Sequence, residues 1–144
     1  MKKLIIAASI VGIMFSCSQP VDYKAERDQV MKTHDLVMAD HGIVVKNQMA
    51  IDSLLQNLGA LKQRFPTLDI AREKVLMEEK VARLKAAEEL MNDWMHQFEP
   101  DIEQKSNEEA AAYFKAENIK INRIDSLYKA EISASNSYLS AFRE

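Results

Sequence analysis

The residues with the clearest potential for chemistry lie in two short segments rich in histidine, methionine and tryptophan. The first, "HDLVMADHG", spans residues 34–42, and the second, "LMNDWMHQFEP", spans residues 90–100 and holds Trp94, the only tryptophan of the chain. Imidazole and thioether groups are ligands that suit copper, and thioethers select the Cu(I) state. Spacings of four residues place two such groups on one helical face. The candidate metal ligands are His34, Met38, His41, Met91 and Met95.

The same segments also fit an ordinary hydrophobic core. Methionine fills irregular gaps and packs on aromatic rings, so a methionine and tryptophan stripe at helical spacing is typical of a helix interface. Asp35, Asp40 and Asp93 are close enough in sequence to accept hydrogen bonds from histidines. His34 and His41 are about 10 Å apart along a helix, so one ion cannot bind both. The segments therefore predict the closed end of a core, with a copper site as the alternative.

The N-terminus predicts export and lipid attachment. It reads "MKKLIIAASIVGIMFSCSQP", in which two lysines precede an apolar run that is too short for a membrane span. Ser16 and Cys17, the only cysteine, resemble the lipobox of bacterial lipoproteins, whose cysteine becomes the lipid-modified first residue. An ordinary secretory signal is the alternative. We predict a lipoprotein signal peptide over 1–16, a tether over 17–21 with the lipid on Cys17, and one domain over 22–144.

Charge and motifs exclude several classes of function. Loss of Lys2 and Lys3 leaves 17 basic and 22 acidic residues without a basic cluster, which argues against nucleic acid binding. There is no glycine-rich phosphate loop, HExxH motif or nucleophile elbow, so we predict no enzymatic activity. Ser18 after the cysteine resembles the outer-membrane sorting pattern of enterobacterial lipoproteins. The absence of a charged run after it favours the periplasmic side.

The mature chain predicts three long helices, over 22–64, 67–98 and 106–142. It contains few glycines and prolines and many good helix formers. Thr67 is the expected N-cap of the second helix, and Ser106 with Glu109 matches a capping box at the third. Gly42 could break the first helix, although its apolar spacing keeps phase there. Charged runs such as 115–123 are typical of a solvated helix face. The fold class is all-α, an up-down-up antiparallel three-helix bundle with coiled-coil-like packing.

The predicted hairpin places the two segments at the same height along the bundle. A turn centred near Pro66 pairs residues of the first two helices whose numbers sum to about 132. The expected pairs are His34 with Phe98, Met38 with Trp94, and His41 with Met91, while Tyr113 and Phe114 lie alongside on the third helix. This layer should close the end of the bundle nearest the lipidated cysteine.

A recognisable pattern consists of His34-Asp35, Val37-Met38 and His41-Gly42 in the first helix, Trp94, Met95 and Phe98 in the second, and Glu108-Glu109 with Tyr113 in the third. In these residues the chain resembles a family of small bacterial lipoproteins commonly labelled "viral A-type inclusion protein". His41 stands where the family pattern has methionine. The resemblance implies a helical lipoprotein and supplies no activity or cofactor.

The expected function is structural. We expect a lipid-anchored outer-membrane protein that associates with itself or with an unknown envelope protein. A periplasmic metal-binding or metal-stress protein that uses copper is the first alternative, and a holdase-like periplasmic chaperone is the second.

Overall fold

A computed structural model describes residues 22–142, which fold into four helices that pack together. The helices are α1 (Tyr23–Gln56), α2 (Leu58–Arg64), α3 (Ile70–Gln97) and α4 (Asn107–Ser140). The predicted all-α class is confirmed for these residues. The predicted signal peptide 1–16, the 17–21 tether and Cys17 lie outside the described residues. None of the four helices is long and apolar enough to cross a membrane.

The prediction of one helix over 22–64 is wrong, because the helix is interrupted at Asn57. Asn57 leaves helical geometry with φ −119° and ψ 33°, and its side-chain amide donates to the Ser53 carbonyl oxygen over 2.8 Å. Asparagine competes in this way with the helical hydrogen-bond ladder, and Gly59 follows two residues later. The helix runs without a break through Gly42.

The two long helices that follow begin at side-chain caps. The predicted cap Thr67 is wrong: Asp69 caps α3, and its carboxylate accepts from the Arg72 backbone N–H over 3.2 Å. The capping box of α4 is confirmed, because Ser106 Oγ accepts from the Glu109 N–H and the Glu109 carboxylate accepts from the Ser106 N–H. The hydrogen bond from the Ser106 N–H stabilises the charged carboxylate and lowers the pKa of Glu109.

Residues seven apart supply the buried face of α1, which is Val30, Val37, Val44 and Ile51. Thr33 and Asn47 are buried in intervening layers of the same face. Asn47 donates to Ser135 Oγ over 2.9 Å, and α1 packs most extensively on α4.

The contacts also fix the directions of the helices. His41 lies beside Tyr128, and Asn47 lies beside Ser135, so residue numbers rise together along α1 and α4. On α3 and α4, by contrast, Trp94 meets Glu117, whereas Glu73 meets Tyr138. Therefore α3 runs opposite to the other two long helices.

Candidate functional site

Trp94 of α3 is held in a fixed orientation by a buried carboxylate of α4. Its indole Nε1–H donates to Glu117 Oε2 over 2.8 Å, and only 6% of Trp94 and 4% of Glu117 are exposed. Lys120 donates to the other oxygen, Oε1, over 2.6 Å. Glu117 was not predicted as a site residue, because the charged run 115–123 is typical of a solvated helix face. Glu117 nevertheless falls between Phe114 and Ile121 at core spacing, and that spacing was a usable signal.

Aromatic rings close the same end of the bundle. The Trp94 and Phe98 rings are stacked with centroids 4.7 Å apart. The ring centroid of Phe98 lies 6.3 Å from that of Tyr113 and 6.2 Å from that of Phe114. These distances agree with the predicted placement of Tyr113 and Phe114 beside the second helix. The Tyr113 hydroxyl accepts from the Glu99 backbone N–H over 2.7 Å and so anchors the end of α3 to α4.

A groove of about 280 Å³ opens between α1 and α3 beside this aromatic layer. We call it the α1/α3 groove. The His34 imidazole lines this groove, and its side chain is 23% exposed. Its ring centroid lies 6.0 Å from that of Trp94. His34 Nδ1 lies 3.0 Å from Asp35 Oδ1. The lining side chains are Arg27, Met31, His34, Trp94, Met95 and Phe98, together with Pro100.

The structure brings only two of the five predicted metal ligands, His34 and Met95, into this groove. Met91 is fully buried in the core, and Met38 is 38% exposed outside the groove. His41 has other neighbours: its Nδ1 lies 3.3 Å from the Tyr128 hydroxyl and its Nε2 lies 3.9 Å from Glu88 Oε1.

Met31 lines the groove and was missed by the sequence analysis, although its position three residues before His34 puts both on one helical face. The groove is therefore lined by two thioethers and one imidazole. Of these, His34 and Met95 were predicted as ligands and Met31 was not.

The pairing of α1 with α3 is displaced by about one helical turn from the predicted register. His34 packs on Trp94, four residues before the expected Phe98, and His41 faces Glu88, three residues before Met91. The predicted register assumed an unbroken helix up to a turn at Pro66. The interruption at Asn57 and the later start of α3 change the path of the chain between the two helices.

Trp94 also borders a larger groove, of about 460 Å³, between α3 and α4. Its apolar lining comes from Leu90, Trp94, Ile124 and Leu127, and its polar rim comes from Asp93, Gln97, Lys120 and Arg123. It contains no histidine or methionine, so it offers apolar contact rather than soft-metal coordination.

The outer face of α1 carries an apolar stripe that the fold leaves uncovered. Leu36 is 50% exposed and Ile43, one heptad further, is 39% exposed. Ala39 and Gly42, also exposed, lie between them, and a Cβ at Gly42 would meet nothing within 4 Å. We call these four residues the α1 stripe. Ala39 lies nearest to the two large side chains on the helix surface and Gly42 lies further round, and both are small enough for another helix to approach closely.

Within residues 22–142, no group of three or more His, Cys, Asp or Glu side chains is arranged to hold a metal ion. This absence concerns those four residue types and does not include methionine thioethers. Comparison of the chain with protein-family models, with curated proteins and with solved structures gives no match. The resemblance to the small lipoprotein family therefore stays a prediction.

Proposed function

We propose that this protein is a lipid-anchored component of the cell envelope that acts by association of its helices and catalyses no reaction. Cys17 would carry the lipid and hold the chain on the outer membrane, facing the periplasm. We treat α1 and α2 as one interrupted arm, so that α1–α2, α3 and α4 form the three arms of an up-down-up bundle. The signal-like N-terminus and the long helices support this proposal.

The α1 stripe is the observation that carries the interaction role. Leu36 and Ile43 are large apolar side chains, one heptad apart, that flank the buried face of α1 and remain exposed. A heptad pair with small residues between its members is the pattern of a helix-to-helix contact. The occupant we propose is the same stripe of a second copy.

Membrane anchoring favours this pairing over a contact with an unrelated surface. Two copies anchored through Cys17 on one leaflet stand parallel, because α1 starts only a few residues after the anchor. Leu36 of one copy then lies at the same height as Leu36 of the other, and the two Ile43 residues likewise. A two-fold axis between the copies makes the contact self-complementary.

The proposed contact is weak without the membrane. Two layers of side chains bury little area, and each square ångström of apolar surface contributes only about 25 cal/mol. Confinement on one membrane raises the effective concentration of the second copy without adding any contact. We therefore expect association on a bilayer and little of it in dilute detergent.

Energy transfer between labelled copies in lipid vesicles tests the proposal. The lipidated protein, labelled at an exposed Ser137→Cys on α4, should show transfer that a Leu36→Glu, Ile43→Glu double variant loses. Val75→Glu is the matched control, because Val75 is more exposed than either residue but lies on α3. Absence of transfer in the parent protein, or equal transfer in the double variant, would contradict the pairing.

A further inference from the structure

We propose that Met31, His34 and Met95 form a binding site for a soft monovalent metal ion, Cu(I), in the α1/α3 groove against the indole of Trp94. The proposal depends on neither the lipid anchor nor the pairing of α1 stripes. It rests on the common groove, on the orientation of the His34 ring and on the charge of the surroundings.

The His34 ring is prepared for coordination by its neighbour. A carboxylate oxygen only accepts hydrogen bonds, so the 3.0 Å contact with Asp35 Oδ1 favours the imidazole tautomer that carries its proton on Nδ1. Nε2 then carries the free lone pair. When a histidine binds a metal through one ring nitrogen, the other ring nitrogen usually donates a hydrogen bond to a carboxylate or carbonyl. That hydrogen bond fixes the tautomer of the ring and raises the basicity of the nitrogen that binds the metal.

The two thioethers reach the same groove from opposite sides. Met31 is one helical turn before His34 on α1, and Met95 follows Trp94 on α3. Two thioether sulfurs and one imidazole nitrogen form a donor set that selects Cu(I) over harder ions. With Met95 on α3 and the other two on α1, the ion would link the two helices.

Two groups in the groove act on a bound cation in opposite directions. The Trp94 face can stabilise a nearby cation, and its orientation is already fixed by Glu117. Arg27 lines the groove as well, and its guanidinium repels a bound cation. That repulsion scales with the charge of the ion, so a divalent ion is disfavoured more than Cu(I).

Titration with Cu(I) against a competing chelator, followed by Trp94 fluorescence, tests the site. The full chain is used in detergent with Cys17→Ser, so that no thiol competes. We expect one equivalent to bind with a change in Trp94 emission. Met31→Leu and Met95→Leu, which keep the side-chain volume, should each weaken binding on the order of tenfold or more, and Asp35→Ala by about tenfold.

The control variants are Met38→Leu and Met49→Leu, which remove exposed thioethers outside the groove and should leave the affinity unchanged. Arg27→Gln should tighten binding. Circular dichroism at 222 nm would show that each variant is folded. Unchanged affinity in a Met31→Leu, Met95→Leu double variant, or an equal loss in the controls, would overturn the proposal, as would binding with no response from Trp94.

Discussion

The Trp94 indole and the Glu117 carboxylate, 23 residues apart, are joined by a 2.8 Å hydrogen bond that ties α3 to α4. Both groups are almost entirely buried, and Lys120 donates to the second carboxylate oxygen. The Lys120 side chain is 56% exposed, so its ion pair with Glu117 stabilises little, but removal of Glu117 leaves the buried indole N–H without a partner. The bond therefore fixes the orientation of the indole that borders both grooves.

Glu117→Ala should lower the free energy of unfolding by about 1–3 kcal/mol, because the Trp94 N–H then stays buried without an acceptor. Glu117→Gln keeps an acceptor oxygen and should cost less. Urea unfolding followed by circular dichroism measures both values. Glu89→Ala, on the exposed face of α3, is the control and should change the value by less than about 0.5 kcal/mol. An equal loss in the control would refute the assignment.

Ionisation of Tyr128 should lower the free energy of unfolding of the bundle at alkaline pH. Burial raises the pKa of its hydroxyl from 10 to about 12, because the ionised form is disfavoured inside the bundle. The unfolded chain loses this proton near pH 10, so the contribution is complete below pH 10 and disappears as the pH rises to 12. Urea unfolding across this range should show a shallower decline for Tyr128→Phe than for the parent. Identical slopes would contradict the prediction.

Gly42→Ala should stabilise the bundle. Gly42 lies inside continuous α1, and a Cβ there meets nothing within 4 Å. Alanine in a helix interior is favoured over glycine by about 1 kcal/mol. We expect a higher melting temperature by circular dichroism. A lower melting temperature would mean that the helix at this position needs the freedom of glycine.

Cys17→Ser should abolish lipid attachment. Growth with an alkyne analogue of palmitate, followed by fluorophore coupling, should label the parent protein and not the variant. The variant should also keep its uncleaved N-terminus, seen as a larger mass. Labelling of the variant would place the lipid elsewhere, and an unlabelled parent of cleaved mass would favour an ordinary secretory signal.

The sequence predicted the parts of the fold that depend on local periodicity and end chemistry. The helical character of the mature chain and the capping box of Ser106 and Glu109 could both be predicted, because each is set by residues within one or two helical turns. The interruption at Asn57 was missed because the apolar spacing continues past it to Leu61. A single asparagine side chain that bonds its own helix is a weak signal within such a pattern.

Which residues line the candidate site depends on the register between α1 and α3, and this register was not predicted correctly from the sequence. A displacement of about one turn between α1 and α3 exchanges Met38, His41 and Met91 for Met31 as neighbours of His34 and Met95 in the groove. Glu117 was missed for a different reason. A glutamate within a run of charges is normally solvated, and only its pairing with Trp94 and Lys120 makes burial tolerable.

The central claim, that anchored copies pair through the α1 stripe, is tested most directly by disulfide cross-linking in cells. Ala39→Cys places a thiol between Leu36 and Ile43, and Ala82→Cys and Ala116→Cys place one on exposed positions of α3 and α4. We predict that mild oxidation of intact cells converts the Ala39→Cys protein to a dimer, that Leu36→Glu suppresses it, and that the other two proteins stay monomeric. Equal cross-linking at all three positions, or none at Ala39→Cys, would contradict the account.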